Sequence, residues 1–168
     1  MGRKEFFMGK IDRKYMAHLI DASFGGVTAN FWRLGKDLEE FNVDLNPDTE
    51  TKKNILGESS FQHKGYEESA SVDTYYANTD DAIFEHLQEI VDQRLTGDDC
   101  KTKYLEVHMW EEPDSDGAYP AVAQDCYVVP TSYGGDTSGY QIPFTVNLDG
   151  ARTEGKYDPD TGTFTPNS

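Results

Sequence analysis

Residues 75–100 read YYANTDDAIFEHLQEIVDQRLTGDDC, and this stretch carries the one clear amphipathic helix pattern in the chain. Ile83, Leu87, Ile90, Val91 and Leu95 fall at i, i+4, i+7, i+8 and i+12, a single apolar stripe at helical period. Asn78 or Thr79 can accept a bond from the free amides of a first turn. Asp80 and Asp81 place negative charge at the positive end of the helix dipole. Arg94 falls in the last turn, and Gly97 follows as a residue free to turn left-handed. These signals predict a helix over 80–96, about 25 Å long at 1.5 Å per residue. A helix with one apolar stripe needs a surface to cover, and the flanking sequence supplies strands.

After the helix, residues 102–111 (TKYLEVHMWE) alternate, with Leu105, Val107 and Met109 on one face and Glu106 and His108 on the other. Residues 112–117 (EPDSDG) read as a turn, 121–130 as a strand and 131–139 (TSYGGDTSG) as a glycine-rich loop. Residues 141–149 alternate again, with Ile142, Phe144, Val146 and Leu148 inward and Thr145, Asn147 and Asp149 outward. The tail, 151–168, reads as a hairpin turning at 158–162 (DPDTG). Before the helix, 70–76 and 15–21 read as strands and 23–28 (SFGGVT) as a turn that no Gly-Lys-Ser/Thr follows, so it is no phosphate loop. Residues 33–45 read as one long strand, because Phe41, Val43 and Leu45 alternate with Glu40, Asn42 and Asp44. Six to eight mostly antiparallel strands around one helix give an α+β, mainly β chain. The expected form is a β-sandwich or strongly curved sheet with the helix closing one open end.

Residues 46–69 (NPDTETKKNILGESSFQHKGYEES) fit none of this. They form a 24-residue polar segment whose apolar anchors are Ile55, Leu56, Phe61 and Tyr66. A stretch of that length inside one domain is functional, an extended hairpin or disordered. A partner-contacting arm is preferred, since those four side chains otherwise have nothing to bury against.

At 168 residues the chain makes one domain, 1–168. No apolar run approaches a membrane span, and the basic start lacks a secretory apolar core, so a cytoplasmic product is expected. The net charge is −16, unevenly spread: residues 1–14, read as an arm, carry +3, which leaves −19 on the other 154 residues. Such an acidic body lacks the basic face that a phosphate backbone requires. Cys100 and Cys126 lack metal-ligand spacing and read as reduced structural thiols. His18, His63, His86 and His108 are scattered over four elements, and Asp114-Ser115-Asp116-Gly117 lacks the later ligands of a calcium loop. No nucleophile, zinc or nucleotide motif is present, so no cofactor, metal or catalytic residue is assigned and the chain reads as a building block rather than an enzyme.

From residue 35 to 111 the order is GKDLEE, NPDTETKKNILGE, GYEES, a strand, YYANTDDAIFEHLQEIVDQRLTGDD and CKTKYLEV. The C-terminal part then reads SYGGDTSGYQIPFTVNLDGARTEGKYDPDTGTFTP. This order resembles the major tail tube protein of long-tailed, siphophage-type bacteriophages and related phage-like particles of Gram-positive bacteria, over roughly residues 35–166. The resemblance implies a β-sandwich with a flanking helix, six copies per ring, and a β-barrel lining a lumen. Stacked rings would make a virion tail assembled in the host cytoplasm, through which DNA passes unbound. It also implies that 46–69 reaches a neighbouring subunit or ring, and that the tape measure, tail terminator and distal tail or baseplate proteins are partners. An acidic lumen would not trap a passing polyanion, and Glu40, Asp44, Asp73, Glu106 and Asp149 are the expected lumen-facing residues. The inner tube of a contractile tail or phage-like particle, and a monomeric acidic β-sandwich binding module, are the alternatives.

Overall fold

The computed structural model describes residues 9–36 and 38–167. Most of the predicted arm, residues 1–8, lies outside the described residues. The strands are β1 (Met16–Asp21), β2 (Phe31–Arg33), β3 (Val43–Asp44), β4 (Pro47–Lys53), β5 (Ser59–Tyr66) and β6 (Ser69–Val72). After α1 (Phe84–Gln93) come β7 (Lys101–His108), β8 (Tyr119–Pro130), β9 (Gly134–Asp136), β10 (Gly139–Gln141), β11 (Phe144–Asp158) and β12 (Thr163–Pro166). One antiparallel sheet runs β2-β1-β7-β8-β11-β6-β3, with β12 also on β11; β9/β10 and β4/β5 are separate two-stranded ribbons.

Both faces of the sheet carry a core. On one face lie Ile20, Ala70, Val72, Tyr104, Cys126, Val128, Phe144 and Val146, and α1 covers them with Ile83, Leu87 and Val91. On the other face Ala17, Leu19, Leu105, Val107, Ala121, Ala123 and Tyr157 cluster. That second core is closed by curvature: the ring of Phe31 in β2 comes within 6.1 Å of Tyr157 in β11 although three strands separate them. Flat strands at about 4.8 Å spacing would hold them roughly 19 Å apart. The sheet does not close into a barrel, and β2, β3 and β12 remain as edge strands among the described residues. Gly155 makes the β11–β12 approach possible, since a Cβ there would lie 2.4 Å from Thr165 O and 2.7 Å from the Phe164 ring.

The helix is shorter than 80–96. Asn78 Oδ1 accepts from Asp80 N at 2.9 Å, so that side chain closes a local turn and does not cap α1. At the other end Arg94 takes the left-handed conformation (φ 53°) and Leu95 N folds back onto Ile90 O at 3.1 Å. The helix therefore stops three residues before Gly97.

The long strand expected at 33–45 does not exist. Its ends belong to opposite edges of the sheet, β2 and β3. Leu34 and Phe41 are buried, with the Phe41 ring 4.7 Å from His18, whereas Leu45 is 53% exposed. The alternation over 40–45 is real in sequence, but the core side chains of β1 draw Phe41 inward and the pairing stops after two residues.

Candidate assembly interface

The segment 46–69 is a hairpin. β4 and β5 pair from Pro47↔Tyr66 to Lys53↔Ser59, and neither packs to a comparable extent on any other strand or helix. The register shifts between Asp48 and Thr49, which leaves Lys64 as an extra residue in β5. This bulge resets the alternation. Tyr66 thereby joins Phe61 and His63 on one face, with the His63 and Tyr66 rings 4.7 Å apart. Glu50 lies on the other face, where Lys64 and Lys52 pair with it at 3.1 and 3.5 Å. The ribbon thus has an aromatic face, a charged face and no core of its own.

Its tip is built around Asn54. Asn54 Oδ1 accepts from Leu56 N (2.9 Å) and Glu58 N (3.0 Å), Asn54 Nδ2 donates to Glu58 Oε1 (2.8 Å), and Asn54 N donates to Glu58 O (3.0 Å). Gly57 turns the chain at φ +82°. With its polar groups satisfied internally, the turn presents Ile55 (102% exposed) and Leu56 (78%); Phe61 (69%) and Tyr66 (52%) stand bare further down. These four large apolar side chains stand exposed on a ribbon that buries nothing of its own. At the base Asn46, at φ +45°, donates through Nδ2 to Glu67 O (3.0 Å) and Ser69 Oγ (3.2 Å) and fixes how the ribbon leaves the sheet.

Three of the five acids expected on one surface come together. Glu40, Asp44 and Asp73 line an open groove of about 390 Å³ with Asn42 and Ser71. Asp149, opposite Asp125 on β8, shares with Asp44 the sheet face away from α1. That end of the face is polar, with Ser71, Asn147 and Lys103 exposed and Asp125 bound by Lys103 at 2.6 Å. Glu106 does not belong with them. It sits opposite His18 on the α1 face, where His108 Nε2 (2.9 Å) and Arg152 Nη2 (3.3 Å) hold it. Burial works to raise its pKa, but the bonds and charges of His108 and Arg152 outweigh burial and keep it ionised below the usual range. His108 is raised in turn by its bond to Glu106 and stacks on Trp110 at 4.5 Å.

The remaining polar groups have structural work. Arg13 Nη2 donates to His18 Nε2 (2.8 Å) and to Phe41 O (3.0 Å), and Nη1 donates to Met16 O (2.7 Å), so the C-terminal part of the predicted arm is pinned to the body. Arginine has only donors, so His18 Nε2 is a lone pair and its Nδ1–H points at Tyr104 Oη. Burial and the Arg13 charge lower the His18 pKa to about 4. Asp21, also buried, accepts from Ser23 N, Ser23 Oγ and Asn30 N and shapes the loop after β1. Asp114 Oδ1 is taken up by Asp116 N and Ala118 N, as a turn requires. Cys100 and Cys126 are free and buried, and burial raises the Cys126 thiol to about 12. Among the described residues no helix is long and apolar enough to cross a membrane.

No known protein family's sequence profile matches this chain, and no curated protein matches it in sequence. In three dimensions it is similar to a chain from the tail of an empty GTA particle refined helically with C6 symmetry. The TM-score is 0.54 over 86% of this chain and 98% of that chain, at 14% identity. At this identity the likeness shows the fold alone, which in this chain is mostly antiparallel β with one α-helix among the described residues.

Proposed function

We propose that the chain is a structural tail protein, not an enzyme, which self-assembles into the stacked rings of a tail tube. The observation that carries this is the free-standing hairpin β4/β5. An isolated two-stranded hairpin is marginal in water, yet this one is long, amphipathic and tipped with Ile55 and Leu56. It acquires a hydrophobic partner only in an assembly. Likeness to a chain in a C6 tail supports six copies per ring. The edges β2 and β3 would then be covered by neighbours, removing the unpaired strands an isolated subunit exposes.

In this reading the polar sheet face bearing Asp44, Asp149 and the Glu40–Asp73 groove lines the lumen. Net charge −16 lets DNA pass without adhering. The tape measure, terminator and distal tail proteins would be the other partners, and a virion or phage-like particle assembled in the bacterial cytoplasm the location. Negative-stain microscopy of the concentrated protein tests it: rings or tubes are expected. A chain that stays monomeric by sedimentation at every concentration overturns the reading in favour of a monomeric binding module.

A further inference from the structure

The same molecule carries an open, partly apolar groove to set beside the hairpin's exposed apolar tip. Strand register fixes where the hairpin leaves. Asp44 pairs with Ser69, Ser69 with Asn147 and Asn147 with Tyr127, and the chain runs out of the sheet from there. The opposite end of the same strands is marked by Val72, Phe144 and Pro130. At that far end an open groove of about 410 Å³ lies between the last turn of α1 and the end of β8. Its wall is apolar, formed by Ile90, Val91, Leu95, Val129 and Pro130, with Tyr133 at one side. The groove is open to solvent, so the subunit itself does not seal it. The guanidinium of Arg94, at the groove's edge, is already engaged, 5.3 Å over the Tyr133 ring and 3.0 Å from its hydroxyl.

We propose that this groove receives the Ile55–Leu56 tip of a second copy. Four features select it. The tip is preorganised by Asn54, so seating it costs little ordering. The hairpin carries three lysines and three acids and is neutral on a strongly acidic chain, so it approaches another copy without net repulsion. Lys53, next to the tip, has no carboxylate partner among the described residues, while Asp92 in the last turn of α1 and Asp98 and Asp99 just beyond it flank in sequence the groove-lining Arg94, Leu95 and Thr96. Finally, knob and groove sit at opposite ends of the strands. Their union is therefore head-to-tail and repeats without limit, which is the heterologous geometry of rings and filaments. The larger groove lined by Val27, Phe31, Ala123 and Phe164 lies toward the end from which the hairpin leaves. A tip seated there would not join opposite ends of successive copies.

This inference rests on the assembly reading, and cysteine cross-linking separates the two. Both native thiols are buried, so Leu56→Cys alone serves as background. With a mild oxidant at assembling concentration, Leu56→Cys/Ser132→Cys is expected to give a disulfide ladder of many copies, and Leu56→Cys/Val27→Cys none. A Val27 cross-link ending at dimers, or sedimenting assemblies without a Ser132 ladder, overturns the groove assignment and leaves assembly standing. Absence of both ladder and sedimenting species in the parent chain overturns the assembly reading itself.

Discussion

Acidification should unfold this protein by a route set at His18. The imidazole is 7% exposed, accepts from Arg13 at Nε2 and faces Tyr104 at Nδ1. Tyr104, Glu106 and His108 on β7, Arg33 on β2 and Arg13 are the charged and titratable groups around it. Burial disfavours the charged ring, and a proton on Nε2 would also place a second cation against the guanidinium; together these lower the folded pKa to about 4 from 6.5. A histidine depressed in the folded state binds its proton mainly in the unfolded chain. Its contribution is therefore intact above pH 6.5 and is lost as pH falls toward 4. At 1.36 kcal/mol per pKa unit the loss is about 2 kcal/mol at pH 5 and about 3 kcal/mol by pH 4. Glu106, depressed by its partners, loses stability in the same direction at lower pH, whereas His108, raised, contributes more as pH falls below its own elevated pKa. Urea unfolding of the monomer at pH 7.5, 6, 5 and 4 isolates the His18 part when run beside His18→Gln, which keeps an acceptor and a donor but does not titrate. The stability difference between the two proteins should shrink by about 2 kcal/mol from pH 7.5 to 5. Parallel curves would refute the neutral, Arg13-bound imidazole.

Leu87 is fully buried under the sheet, so Leu87→Ala should cost about 2–5 kcal/mol in denaturant unfolding, and Leu87→Asp should not fold. A soluble, folded Leu87→Asp monomer would place the apolar stripe on the wrong side. Ile55→Ser with Leu56→Ser should leave the monomer's melting temperature unchanged, since neither side chain touches the body, and abolish sedimenting assemblies; a large melting shift would mean that the tip packs internally. Asn46→Ala removes the bonds to Glu67 O and Ser69 Oγ and puts a β-carbon residue with no local hydrogen bond at φ +45°, costing about 1–3 kcal/mol by calorimetry.

The elements legible in the sequence are those whose period and environment agree. Leu87, Ile90 and Val91 in α1 and Ile83 just before it are buried as their spacing demands, as are Phe144 and Val146 in β11 and Ile142 just before it. The tail turn closes where Asp158-Pro159-Asp160 suggests, with Gly162 N on Asp158 O at 2.7 Å. What escaped was decided by non-local contacts. The 33–45 segment splits because Leu34 and Phe41 are claimed by the core over β1. The hairpin's aromatic face was invisible because the Lys64 bulge moves Tyr66 to the side of Phe61, and simple alternation puts it on the other. Glu106 alternates outward from Leu105 and Val107 as expected, but outward there is the α1 face of a two-cored sheet, where Arg152 and His108 wait. The four apolar residues of 46–69 were recognisable for a simpler reason: nothing nearby in sequence could bury them.

The account stands on the hairpin as the element through which copies associate. Replacing 47–66 by a short Gly-Ser link from Asn46 to Glu67 removes it while sparing both cores, since β4 and β5 pack only marginally on the rest of the subunit. Sedimentation velocity of this variant beside the parent chain is the most direct measurement. A folded monomer with parental core stability, at concentrations where the parent forms rings or tubes, is the predicted result; assembly equal to the parent's would contradict it.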